Sequence, residues 1–148
     1  MFPDTDEQEQ SRPLGLLLLT GLYLFFFFLG LTTVGSPYPL FGTILAGAAA
    51  RITAIVDTIW LLYLVLGLMK RQYLTWYLLI LYNLLQVVNV VVNLNYLNRQ
   101  DLESIVGHPV DPASLMNSNV AAALAMLLVT QYIYRHRHFF SNRQLLLF

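Results

Sequence analysis

The stretch that decides the fold runs from Arg51 to Asn98. It reads RITAIVDTIWLLYLVLGLMK over 51–70 and RQYLTWYLLILYNLLQVVNVVVNLNYLN over 71–98. The only basic pair inside it is Lys70-Arg71. On each side of that pair lies an apolar run long enough to cross a hydrocarbon core of about 30 Å as a helix. A short charged break between two such runs marks a tight turn, with one helix entering the membrane and the next returning. Tyr73, Trp76 and Tyr77 follow the turn, where amphipathic rings favour the headgroup level.

The polar residues of this hairpin are few. Asp57 is the only carboxylate inside an apolar run. A charge at mid-membrane costs about 2.5–3.5 kcal/mol on insertion scales, so such a group faces protein or water. Helices leaving one tight turn reach equal depth at equal counts from it. That places Asp57 level with Gln86, and Arg51 level with Asn93. Gln86, Asn89 and Asn93 fall on one face at helical steps, with Tyr82 and Thr75 below them. The expectation is a polar seam of Asp57, Gln86, Asn89, Asn93 and Arg51 between the second and third helices. Asp57 would accept from Gln86 or Asn89 there. The seam is open to two roles. One is interhelical hydrogen bonding, at about 0.6 kcal/mol per bond. The other is a proton or cation site. With one carboxylate and no Lys or His deep in a span, packing is the simpler role. Arg51 reads as a residue snorkelling to lipid phosphate.

Outward from the hairpin, composition agrees. Of the 148 residues, 57% are hydrophobic and 11% charged, under half the charged share of a soluble domain. Such a chain cannot cover its surface with polar groups and must face lipid. Net charge is zero, so no nucleic-acid partner is expected. Cysteine is absent, which excludes disulfides and thiolate chemistry.

Residues 1–12 form an acidic tail, with Asp4, Asp6, Glu7 and Glu9. Residues 13–135 are expected to hold all four spans, at about 14–34, 43–69, 74–97 and 113–134. Pro13 suits a first helical turn. A cleaved signal peptide is the rival for the first span, but the acidic tail and the long apolar run oppose it. Gly35-Ser36-Pro37-Tyr38-Pro39 is a turn. Residues 40–50 are expected to extend the second helix outward, the alternative being a short interfacial or re-entrant helix. Leu102, Ile105 and Val106 suggest a short surface helix, ended by Gly107-His108-Pro109. Asp111-Pro112 caps the fourth span, whose first half is rich in Ala and Ser, a pattern that lets helix backbones approach closely. Residues 136–148 form a basic, then apolar tail suited to a membrane surface.

The basic residues orient the chain. With both termini inside, Arg12, Lys70, Arg71, Arg135, Arg137 and Arg143 lie on the cytoplasmic side. Only Arg51 and Arg99 fall outside, near Asp101, Glu103 and Asp111. Cytoplasmic loops carry the Lys/Arg excess, so both termini are expected in the cytoplasm of an inner (plasma) membrane protein. Lys70, Arg71, Arg135 and Arg137 are expected to meet lipid headgroups.

Three short motifs carry a resemblance. They are Arg12-Pro13-Leu14-Gly15, then Gly67-Leu68-Met69-Lys70 with Trp76, and Tyr132-Ile133-Tyr134-Arg135. Together they resemble a broad group of small four-span bacterial and archaeal membrane proteins that open on RPLG and have a GLWK-like inner turn. Met69 stands here where Trp is usual. The resemblance implies the four-helix topology and brings no catalytic residue.

No nucleophile elbow, P-loop or dinucleotide fingerprint is present. No His lies deep in a span, which argues against an internally ligated haem. His136 and His138 suit a lipid-contacting basic cluster better than a metal or pigment site. No cofactor or metal is expected. The expectation is an all-α, non-catalytic membrane protein, an accessory or scaffolding subunit beside lipids and other membrane subunits. The alternative is a small transporter or channel using Asp57 and Arg51.

Overall fold

The structure, a computed structural model, describes residues 13–143. The acidic tail with Arg12, and the apolar end Leu145–Phe148, lie outside the described residues. The chain is an all-α membrane bundle. Helix α1 (Leu14–Thr33) is followed by a hairpin of β1 (Tyr38–Leu40) and β2 (Thr43–Leu45), then α2 (Gly47–Met69) and α3 (Tyr73–Tyr96). The short α4 (Arg99–Val106), α5 (Pro112–Arg135) and a 3-10 turn (Arg137–Phe139) complete it. α1, α2, α3 and α5 are long and apolar enough to cross a membrane.

The turn between α2 and α3 is a Schellman motif. Arg71 takes a left-handed φ of 53°. The N–H of Gln72 then reaches Gly67 O at 2.9 Å, and that of Arg71 reaches Leu68 O at 3.1 Å. These bonds satisfy carbonyls that the helix end leaves open. α2 and α3 meet closely just beyond the turn, where a Cβ on Gly67 would collide with Thr75.

Past that point the two helices part. α2 packs mainly on α1 and α3 on α5, while α2 and α3 touch little. This corrects the expectation of a continuous α2–α3 seam. The reason lies in where small residues sit. Ala50, Ala54 and Thr58 are buried at steps of four on α2. Gly30 of α1 lies against Thr58, where an added Cβ would be 3.1 Å from its hydroxyl. The core therefore gathers at the turn end, from Leu16, Tyr23, Leu64, Leu68, Leu79 and Ile133. At the other end the bundle splays.

The β-hairpin fills the splay, touching both α2 and α3. It overturns both expectations for residues 40–50, and α2 begins at Gly47 instead of Thr43. Tyr38 pairs with Leu45 and Leu40 with Thr43. Phe41 and Gly42 form the two-residue tip with φ of 44° and 81°, the positive values that a tight hairpin turn requires. A Cβ on Gly42 would lie 2.7 Å from Tyr96 Cβ, so only glycine fits that approach.

Candidate functional site

The hairpin end gathers the polar residues of α3. Asn89 Oδ1 accepts the backbone N–H of Phe41 at 2.8 Å, and Asn93 Oδ1 accepts that of Gly42 at 2.7 Å. The Asn93 amide donates to Pro39 O at 3.3 Å, and Asn89 lies 3.4 Å from the same oxygen. The N–H groups of a tight turn tip have no strand partner, so side-chain acceptors can satisfy them. Two asparagines one helical turn apart supply them.

Asp57 lies one layer deeper, about 15 Å along α2 from Gly47. Gln86 Nε2 donates to its Oδ1 at 3.4 Å. The phenol groups of Tyr82 on α3 and Tyr38 on β1 face the same carboxylate. A phenol keeps its proton at neutral pH, so both can donate to the carboxylate.

Two cavities share this cluster. A central one of about 250 Å³ is bounded by Phe26 and Gly30 of α1, by Asp57 and Tyr82, and by Met126 of α5. A groove of about 170 Å³ lies between α2, α3 and the hairpin, with Phe41, Trp60 and Leu85 in its walls. Asp57, Tyr38, Tyr82 and Gln86 line both. Among the described residues, Asp57 is the only charged one lining either cavity. A third cavity of about 380 Å³ lies under α4, with largely apolar walls such as Leu94, Leu97, Leu102 and Met116.

The seam residues therefore divide. Asp57 and Gln86 meet, while Asn89 and Asn93 hold the hairpin. Arg51 joins neither group: it is exposed and has no hydrogen bond or ion pair among the described residues. Six residues separate it from Asp57, a step that turns about 120° away around a helix.

Asn83 was missed from sequence, although it is fully buried. Its Oδ1 accepts the Tyr23 hydroxyl at 2.6 Å, which ties α3 to α1. Its Nδ2 has no partner among the described residues. The available signal was its seven-residue step from Trp76, which keeps it on the α3 core stripe with Leu79.

At the turn end the chain folds back on itself. Tyr73 N–H donates to Asn142 O at 2.7 Å, and Asn142 N–H to Arg71 O at 3.1 Å. Arg71 Nε donates to Phe139 O at 2.9 Å. Arg137 lies over the Tyr73 and Trp76 rings at 5.0 and 5.3 Å and donates to the Tyr73 hydroxyl. Trp76 Nε1 donates to Ile133 O at 3.0 Å. Residues 136–142, expected as part of a tail suited to a membrane surface, pack back onto the turn end of the bundle. Phe139 and Phe140 are buried, and burying them on the bundle holds the tail there. Arg71 and Arg137 are thus bound to protein, while Lys70 and Arg135 have exposed side chains at the same end. The His136 ring lies on Tyr132 at 4.0 Å and near Phe139 at 5.0 Å. No group of three metal-binding side chains occurs among the described residues. The chain matches no protein-family model, and comparison with curated proteins and with solved structures returns no match.

Proposed function

We propose that the protein is a non-catalytic accessory or scaffolding subunit of a larger membrane assembly. One observation carries this reading. Ser114, Ser118, Ala121 and Ala125 recur at steps of four, three and four on α5, and all four are exposed. They lie on the side turned away from α3, flanked by exposed Asn117 and Leu128. Small side chains with hydroxyls suit close helix–helix approach in lipid, where no hydrophobic effect drives helices together. An uncovered face of this kind fits a transmembrane helix of another subunit.

The basic residues support an inner-membrane location with both ends cytoplasmic. Lys70, Arg71, Arg135, Arg137 and Arg143 share the turn end, and Arg51 and Arg99 the other. That asymmetry matches the Lys/Arg bias of cytoplasmic loops. The resemblance to small four-span proteins is compatible with this role but names no partner. A transport role through Asp57 and Arg51 has less support, since Arg51 lines neither Asp57 cavity.

The test uses the lack of cysteine. Ser118→Cys places one thiol on the proposed face. Thiol cross-linking in native membranes is expected to give one discrete heteromeric adduct, and Ala121→Leu to abolish stoichiometric co-purification in mild detergent. Recovery of only the uncomplexed chain under both conditions overturns the proposal.

A further inference from the structure

We propose that Asp57 and the aromatic rings around it form a binding site for a small organic ammonium ion. The first support is charge. Asp57 sits near the middle of α2 with only neutral groups about it, namely Gln86, Tyr38 and Tyr82. Carboxylates at that depth ordinarily pair with a cation or with each other. Neither is present in the cavity walls among the described residues, so an ionised Asp57 has only neutral donors as partners there.

The second support is the wall. Phe26, Tyr38 and Tyr82 line one side of this open cavity, and Phe41 and Trp60 extend the aromatic lining into the groove. Trp60 and Tyr82 meet edge to face with centroids 5.6 Å apart. Ring faces attract cations, most strongly where water is excluded, and cages of rings are the usual receptors for quaternary ammonium groups. A carboxylate within such a cage adds full charge to that attraction.

Size and chemistry narrow the ligand. An apolar cavity of about 150 Å³ accommodates benzene. On that scale the central cavity of about 250 Å³ suits a cation of about ten non-hydrogen atoms. A bare Ca²⁺ or Mg²⁺ ion fits poorly, because it requires about six or more oxygen ligands, and one carboxylate with two phenols and an amide is too few. The groove between α2 and α3 passes Val56 and Leu85, both exposed on the outer surface. It offers a route for a ligand that has partitioned into lipid. This site is separate from the small-residue face of α5, so either proposal stands without the other.

The experiment uses the full chain in lipid nanodiscs, followed by calorimetry and tryptophan fluorescence. The probe is benzyltrimethylammonium, and the control is neopentylbenzene, its neutral isostere. Saturable binding of the cation is expected, with the hydrocarbon at least tenfold weaker. Asp57→Asn keeps the hydrogen-bonding shape and is expected to weaken the cation at least tenfold while leaving the hydrocarbon unchanged. Trp60→Leu is expected to weaken the cation several-fold. Absence of saturable binding, equal affinity for cation and isostere, or unchanged affinity in Asp57→Asn each overturns the proposal. Should Asp57→Asn fail to reconstitute, the charge selectivity of the wild-type chain decides alone, since a site that merely holds a proton shows no preference for the cation.

Discussion

The side-chain oxygen of Asn93 accepts the backbone N–H of Gly42 at 2.7 Å, across 51 residues of sequence. With Asn89 one turn away, it seats the tip of the β-hairpin between two membrane helices. The relationship makes the hairpin depend on α3. Asn93→Leu leaves the Gly42 N–H without an acceptor, at a cost of about 1–3 kcal/mol. The hairpin is expected to loosen while the four spans persist. Amide exchange in detergent should show protection lost at residues 40–44 and kept in the α1 and α2 cores.

Gly67 marks a close backbone approach of α2 to α3. A side chain there meets Thr75, whose own hydroxyl is buried against Gln72 at 3.3 Å. Gly67→Leu should destabilise the bundle by about 1–3 kcal/mol through overpacking. Gly21 is the matched control, because nothing lies within 4 Å of a Cβ added there. Gly21→Ala should be neutral, or stabilising by up to about 1 kcal/mol. Denaturant titration in detergent micelles separates the two variants, and equal stability would refute the close approach.

Tyr23 and Asn83 form a buried pair with an unpartnered Nδ2 beside it. Tyr23→Phe removes the amide's only hydrogen-bond partner among the described residues and should cost about 1–3 kcal/mol. Adding Asn83→Leu should recover most of that loss, because replacing both members with apolar groups can be nearly neutral. A double-mutant cycle on unfolding free energy tests this. A double variant no more stable than Tyr23→Phe alone would refute it.

α4 carries a pH dependence of defined sign. Arg99 donates to Glu103 at 2.8 Å, and Val110 N–H donates to the same carboxylate at 3.3 Å. The Arg99 hydrogen bond first, then that of Val110, holds the Glu103 carboxyl below its usual range. Its support for α4 is therefore complete above the unfolded value of about 4.3 and is lost as pH falls through the lower folded value. The protection of the α4 amides, taken relative to the intrinsic exchange rate at each pH, should fall below about pH 4 and stay constant from pH 5 to 8, while that of the α1 and α2 amides remains unaffected. Glu103→Gln should abolish this dependence.

The turn end offers a further check on the folded-back tail. Trp76→Phe removes the donor to Ile133 O and part of the ring surface beneath Arg137. It should free residues 137–142 without loss of the spans, and limited proteolysis of the tail should speed up several-fold. An unchanged cleavage rate would mean that the backbone pairing of Asn142 with Arg71 and Tyr73 holds the tail by itself.

The sequence by itself determined four membrane-spanning helices, the turn at Lys70-Arg71 and the equal depth of Asp57 and Gln86; which of Gln86 and Asn89 meets Asp57 it left open. These depend on local quantities: hydropathy over one helix length, backbone bonds closed within each helix, and equal counts from one turn. Tertiary structure alone decided the rest. Phe41-Gly42 carries none of the Asn-Gly or Asp-Gly signal that announces a hairpin, and its N–H acceptors come from Asn89 and Asn93, about fifty residues on. Which helices lie together was equally hidden, because the apolar faces look alike in hydropathy. The contacts were decided by where Gly30, Ala54, Thr58 and Gly67 allow backbones to approach. Arg51 was expected in the polar seam and Asn83 was overlooked for the same reason. A polar residue in a span is recognised from composition, but whether it reaches a partner depends on the angle at which its helix meets the next, which no single helix encodes.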